Sequence, residues 1–129
     1  MKKEELAQYA ELCEKFEDEC NRVCNILKDS KIRHGDCEDI SYAERFRLCG
    51  YDSVVWEGDE YWSYGGHEEH SGDFPTDFLT MSDDELLKIV EKENEEWEAR
   101  QEKKRREKEE MERAKRLAEY EKLKKEFGE

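Results

Sequence analysis

The amino-acid sequence predicts an α+β protein: an N-terminal helix, a small antiparallel three-stranded meander and a long charged C-terminal helix that is partly coiled-coil-like. Three observations predict it. Leu6, Tyr9, Cys13, Phe16, Cys20, Val23 and Leu27 alternate steps of three and four, the a/d spacing of a helical seam. Residues 53–76 are rich in β-branched and aromatic side chains and are punctuated by glycines. From Ser82 onward the chain has no helix breaker until Gly128 and mixes Glu with Lys and Arg.

The first helix is expected over residues 3–28, ended by Asp29-Ser30 and the polar run to Gly35. Its stripe is narrow, so it suits packing on another helix, either 86–97 of the same chain or a symmetry mate in a homodimer. Ser41 and Glu44 have the spacing of a capping box, and Gly50 suits a helix C-terminus, which together predict a short helix over 42–49. A strand over 45–49 competes with it. In the meander, SVVWE (53–57) reads as a strand, Gly58-Asp59 as a two-residue turn, and EYWSY (60–64) as the returning strand. Gly65-Gly66 permit a second reversal into a third strand over 70–74, which Pro75 ends or confines to an edge. Two longer strands turning at Gly65-Gly66 are the other reading. Ser82 and Glu85 form a second capping box, and Asp83 and Asp84 suit a helix N-terminus, so the long helix should span 83–126. Leu86, Val90 and Trp97 mark its apolar stripe. A weaker stripe returns at Met111, Ala114, Leu117, Tyr120, Leu123 and Phe127.

Composition narrows the function classes. The chain has 129 residues, of which 35% are hydrophobic and 47% charged. One domain fits that length, with a compact part over 1–97 and a charged helical extension over 98–129. So polar a composition lies near the border of disorder, and with 11% aromatics the core should rest on a few large rings. The net charge is −14, and residues 1–90 carry −13 of it; residues 91–126 balance 13 basic against 13 acidic side chains. Such a field repels nucleic acid and anionic membranes and favours basic protein surfaces. No apolar run approaches the roughly 18 residues of a membrane span, and the first residues lack the apolar core of a signal peptide. A cytoplasmic protein with no membrane and no nucleic-acid partner is expected. The odd count of five cysteines suits reduced thiols rather than a disulfide framework.

Several residues invite a chemical reading. Cys20, Cys24, His34 and Cys37 supply three sulfurs and one imidazole, a donor set for tetrahedral zinc. Cys20 already belongs to the apolar seam, though, where a free thiol behaves as a small hydrophobe. His67, Glu68, Glu69 and His70 lie in an expected turn, without the helix that gives H-E-x-x-H its geometry. No nucleophile elbow, phosphate-cradling loop or dinucleotide fingerprint occurs, so no catalytic residue, no cofactor and no enzymatic activity are predicted. Trp56, Tyr61, Trp62 and Tyr64 fall within nine positions. Trp62 is expected to anchor the core. Trp56, Tyr61, Tyr64, His67, Glu68, Glu69 and His70 are expected to form a partner-binding face, since Trp and Tyr dominate interface hot spots. A small nucleotide held at Gly65-Gly66 is the alternative.

YWSYGGHEEH (61–70), FPTDFL (74–79) and the tail EYEKLKKEF (119–127) together resemble a loose group of small uncharacterised bacteriophage proteins. That group shares a W-x-Y-G-G-H-E-like hairpin, an F-P-x-x-F/Y-L exit and a charged C-terminal helix. The resemblance covers residues 53–127 and leaves out the cysteine-bearing helix. It implies action inside an infected bacterium, and hence a stoichiometric inhibitor of a host protein with a basic surface, one of anti-phage defence or one that binds nucleic acid. A sponge for a signalling nucleotide and a zinc-binding interaction module are the alternatives. The acidic excess then either mimics nucleic acid or serves solubility alone.

Overall fold

The structure is a computed structural model that describes every residue except Arg33, Asp36, Cys37, Glu38 and Glu129. It divides into two compact units, Met1–Asn94 and Glu95–Glu129. The elements in order are α1 (Lys3–Leu27), a 3-10 turn (Ile40–Tyr42), β1 (Arg45–Cys49), β2 (Ser53–Trp62), β3 (Gly66–Pro75), a second 3-10 turn (Thr76–Thr80) and α2 (Asp83–Glu126). The three strands form one antiparallel sheet in the order β1-β2-β3. No described helix is long and apolar enough to cross a membrane.

Helix α2 begins where local chemistry starts it. At the start of α2 the Glu85 amide donates to Ser82 Oγ, which satisfies one free helix N–H, and Ser82 Oγ in turn donates to Glu85 Oε1, each at 3.3 Å. The α1 seam is used only in its C-terminal half. Cys20, Val23, Cys24 and Leu27 are buried, and they pack on Val54, Trp56 and Phe74 of the sheet, Phe78, and Leu86 and Val90 of α2. The stripe therefore packs on a sheet face as well as on a helix. Leu6, Tyr9 and Leu12 remain more than half exposed. Arg22 ties α1 to the start of α2, donating to Asp83 Oδ1 at 2.6 Å and to the Met81 carbonyl at 2.9 Å.

The sheet corrects three expectations. Residues 45–49 are a strand, not part of a helix over 42–49. The Ser41 amide donates to Asp39 Oδ1 rather than entering a capping box with Glu44, and the Glu44 amide donates to the Glu57 carbonyl, which starts the β1–β2 ladder. Gly50 does adopt positive φ, at 65°, but it does so in the β1–β2 turn. The meander thus runs over 45–75 rather than 53–76, with β1 as its first strand. Gly58-Asp59 is not a turn: β2 runs straight through it, and the chain reverses only between Trp62 and Gly66, as in the reading with two longer strands.

Gly58 and Gly72 are strand glycines for one physical reason, close backbone approach. A Cβ on Gly58 would lie 1.6 Å from the Tyr42 carbonyl oxygen, because the 3-10 turn crosses β2 there. A Cβ on Gly72 would lie 2.1 Å from the His34 carbonyl oxygen, where Gly35 bridges Gly72 across the sheet. Beneath that crossing lies Trp56, fully buried, whose Nε1 donates to the same His34 carbonyl at 2.9 Å.

In the second unit, the helix is laced by pairs at i,i+3 and i,i+4: Arg100 with Glu96 at 2.8 Å, and Arg105 and Arg106 with Glu102 at 2.7 and 3.4 Å. Such pairs hold a solvated helix together without a core.

Candidate functional site: the β2–β3 hairpin

Strands β2 and β3 stay paired from Ser53–Pro75 out to Trp62–Gly66, whereas β1 reaches only Glu57, opposite Arg45. Residues 58–70 therefore form a two-stranded ribbon. Strand alternation sorts it into faces. Glu60, Trp62, Glu68 and His70 continue the face of Trp56. Asp59, Tyr61, His67 and Glu69 occupy the opposite face. At the tip, Tyr64 and Gly65 both take positive φ, at 78° and 76°. Glycine does so freely. A bulky residue does not, at a cost on the order of 1–2 kcal/mol, so Tyr64 holds its ring out at the tip under strain. Next to it, the Trp62 ring lies over Gly66, where a Cβ would meet Trp62 Nε1 at 2.1 Å. On the other face Tyr61 stacks on His67, with ring centroids 5.7 Å apart and planes 21° off parallel.

This arrangement brings Tyr61, Tyr64, His67, Glu68 and Glu69 together, all exposed, within one ribbon. Two residues expected on a partner-binding face are corrected. Trp56 is core, closed over by the 34–35 crossing. His70 is 7% exposed; its Nε2 lies 2.8 Å from Glu60 Oε2, and its ring tilts against Tyr42 at 5.5 Å. Trp62 changes places with Trp56. It shares the face of Trp56 but lies beyond the Tyr42 crossing, and it is 51% exposed.

The ribbon also gathers carboxylates. Asp59 lies opposite Glu69, and Glu60 opposite Glu68, so two like-charged cross-strand pairs repel back to back. Each pair has one histidine, and among the described residues the donor atoms of Asp59, His67 and Glu69, and of Glu60, Glu68 and His70, lie within 4.8 Å of one another. These are the sets of oxygen and nitrogen donors that a divalent cation could bridge. Arg45 offsets one of them, with Nη1 3.3 Å from Asp59 Oδ2, and the His70 contact with Glu60 bears on the other.

The thiol set behaves otherwise. Cys20 and Cys24 are core side chains, and burial pushes both metal-free thiols up to about 12, so both are neutral thiols packed as small hydrophobes near neutral pH. Cys37 lies outside the described residues. His34 is a strut: its Nε2 lies 2.9 Å from Glu93 Oε2, which also accepts from Ser30 Oγ at 2.5 Å. Burial alone would raise the Glu93 carboxyl, but the hydrogen bonds from His34 and Ser30 outweigh it and hold the group below the usual carboxylate range. Asn94 completes the clasp, accepting from the Lys31 amide at 2.7 Å and donating to the Asp29 carbonyl at 3.2 Å. A strong chelator is therefore expected to leave the thermal midpoint unchanged. Loss of the fold together with release of one zinc per chain would instead make Cys20 and Cys24 ligands.

One feature follows only from the strand at 45–49. Between the exposed half of α1 and β1 lies an open groove of about 830 Å³, walled by Tyr9, Leu12, Cys13, Phe16, Phe46 and Leu48. It exists because Phe46 and Leu48 of β1 point to the helix-bearing face of the sheet. Had 45–49 been assigned as a strand, period-two alternation would have placed both there. No family model, no curated protein and no solved structure matches this chain.

Proposed function

We propose that this chain is an acidic protein-binding protein, not an enzyme, that acts in a bacterial cytoplasm as a stoichiometric inhibitor of a host protein with a basic surface. The contact face is the tip of the β2–β3 hairpin. The observation that carries this reading is the exposure of three large rings at one tip: Tyr61 is 70% exposed, Trp62 51% and Tyr64 105%. Solvated rings of this size gain most when a partner buries them, and backbone strain at Tyr64 is the kind that persists at binding sites. Glu68 and Glu69 behind the tip, within a chain of net charge −14, supply long-range attraction to a basic surface. The partner is a defence protein or one that binds nucleic acid, as the phage resemblance implies.

The test begins with a partner identified from a bacterial lysate and is decided by binding kinetics. Tyr64→Gly relieves the positive-φ strain, so the variant should be no less stable. It should nevertheless lose at least about 2 kcal/mol of affinity, roughly 30-fold in Kd. Glu68→Lys with Glu69→Lys should slow association, with an on-rate that falls less steeply as salt rises. Unchanged affinity and unchanged salt dependence in these variants would overturn the assignment of the tip. A large upward thermal shift with a cyclic or adenine nucleotide, and no protein partner, would replace inhibition with nucleotide sequestration.

A further inference from the structure

The geometry points to a binding site for a divalent first-row transition cation at Glu60, Glu68 and His70, on the face of the β2–β3 ribbon that carries Trp56 and Trp62. One donor atom from each of the three side chains lies within 4.8 Å of the others. A cation about 2.0–2.2 Å from each donor needs those atoms roughly 3–3.5 Å apart. Rotamer changes at the exposed Glu68 and the partly exposed Glu60 close that gap. Paired strands, not a loop, present the donors. Glu60 and Glu68 are direct cross-strand partners, and His70 follows Glu68 by two residues on the same face. His70 is the fixed member: it is buried, its ring rests against Tyr42, and its Nε2 lies 2.8 Å from Glu60 Oε2. A buried imidazole with a ring nitrogen aimed among two carboxylates is a mixed nitrogen and oxygen donor set, which a solvated acidic patch is not.

Electrostatics favour the same place. Two carboxylates directly opposite one another repel. Among the described residues, Glu60 pairs with His70 alone and Glu68 with no Lys or Arg. The opposite face has the same residue types in Asp59, His67 and Glu69, but there Arg45 Nη1 lies 3.3 Å from Asp59 Oδ2 and stands where a cation would. The donors also set the class of cation. Ca²⁺ and Mg²⁺ take oxygen ligands, whereas imidazole with carboxylates suits Mn²⁺, Fe²⁺, Co²⁺ or Zn²⁺. A neutral imidazole that coordinates through Nε2 carries its proton on Nδ1, so the cation replaces the Nε2 proton that an ionised Glu60 accepts. The bound cation turns a repelling pair into a bridge between β2 and β3 where β1 no longer supports them. The ribbon lies outside the core, so loss of the cation leaves the fold standing, in accord with a thermal midpoint insensitive to chelators.

Mn²⁺ is the probe, because it prefers carboxylate and imidazole to the exposed thiols of Cys13 and Cys49. Titration of the full chain, followed by the electron paramagnetic resonance signal of free aqueous Mn²⁺, should show one saturable site per chain. In NMR spectra the ion should broaden the ring signals of His70 before those of His67. Glu68→Gln should raise the Mn²⁺ Kd at least about tenfold. Glu69→Gln removes the same charge from the next residue, on the other face, and should change the Kd by less than about threefold. Both side chains are exposed, and circular dichroism checks that both variants fold. His70→Ala should abolish the site, and Glu60→Gln takes its place should the buried ring prove necessary for folding. Equal losses in Glu68→Gln and Glu69→Gln would mean that Mn²⁺ samples only the general acidic field, and would overturn the site. Absence of saturable binding would overturn it too, as would Mg²⁺ competing on equal terms with Mn²⁺, since that would leave the imidazole without a role.

Discussion

Trp56→Ala is expected to cost about 3–5 kcal/mol, the range for truncating a fully buried aromatic. The ring is wholly removed from solvent and belongs to the cluster that joins α1, the sheet and α2. Two further losses add to the cavity. The His34 carbonyl loses its 2.9 Å indole donor, and the Gly35–Gly72 crossing loses the surface on which it rests. Denaturant unfolding should show the midpoint falling with the m-value unchanged. Trp56→Phe separates the terms, since it keeps most of the apolar bulk and removes only the donor. It should cost less than Trp56→Ala, with about 1 kcal/mol assigned to the hydrogen bond. A Trp56→Ala curve within 1 kcal/mol of the parent would show that the ring is not the centre of the core.

Gly58→Ala should rank next. An added Cβ would meet the Tyr42 carbonyl oxygen at 1.6 Å and the Tyr42 carbonyl carbon at 2.6 Å. Both are backbone atoms, so no side chain can swing aside, and the 3-10 turn must lift off the strand. Overpacking of this kind costs typically 1–3 kcal/mol and occasionally more. Gly65→Ala is the comparison. Gly65 has φ of 76° and nothing within 4 Å of its added Cβ, so only left-handed backbone strain of about 1–2 kcal/mol applies. Thermal or denaturant unfolding should place Gly58→Ala below Gly65→Ala. The reverse order would mean that Gly58 serves a turn and that the Tyr42 crossing is not a fixed part of the fold.

The helices were legible in the sequence because their signals are local. The 3-4 seam and the Ser82–Glu85 box lie within single turns of chain, and they predicted 3–28 and 83–126 against the observed Lys3–Leu27 and Asp83–Glu126. The aromatic hairpin and its exposed Tyr61, Tyr64, His67, Glu68 and Glu69 were legible for the same reason: alternation and turn glycines are short-range features. Two facts were settled only in three dimensions. Gly58-Asp59 has turn chemistry, yet the ladder runs through it, because the glycine accommodates a backbone segment sixteen residues earlier in the chain. Trp56 and Trp62 share one strand face, and period-two patterning gives them the same environment. What separates them is where the covering layer stops. Tyr42 crosses at Gly58, the 34–35 segment closes over Trp56, and Trp62, beyond that crossing, stays half exposed, so one tryptophan builds the core and the other does not. A strand's own sequence fixes which side a ring takes; burial depends on how far another part of the chain extends across that side.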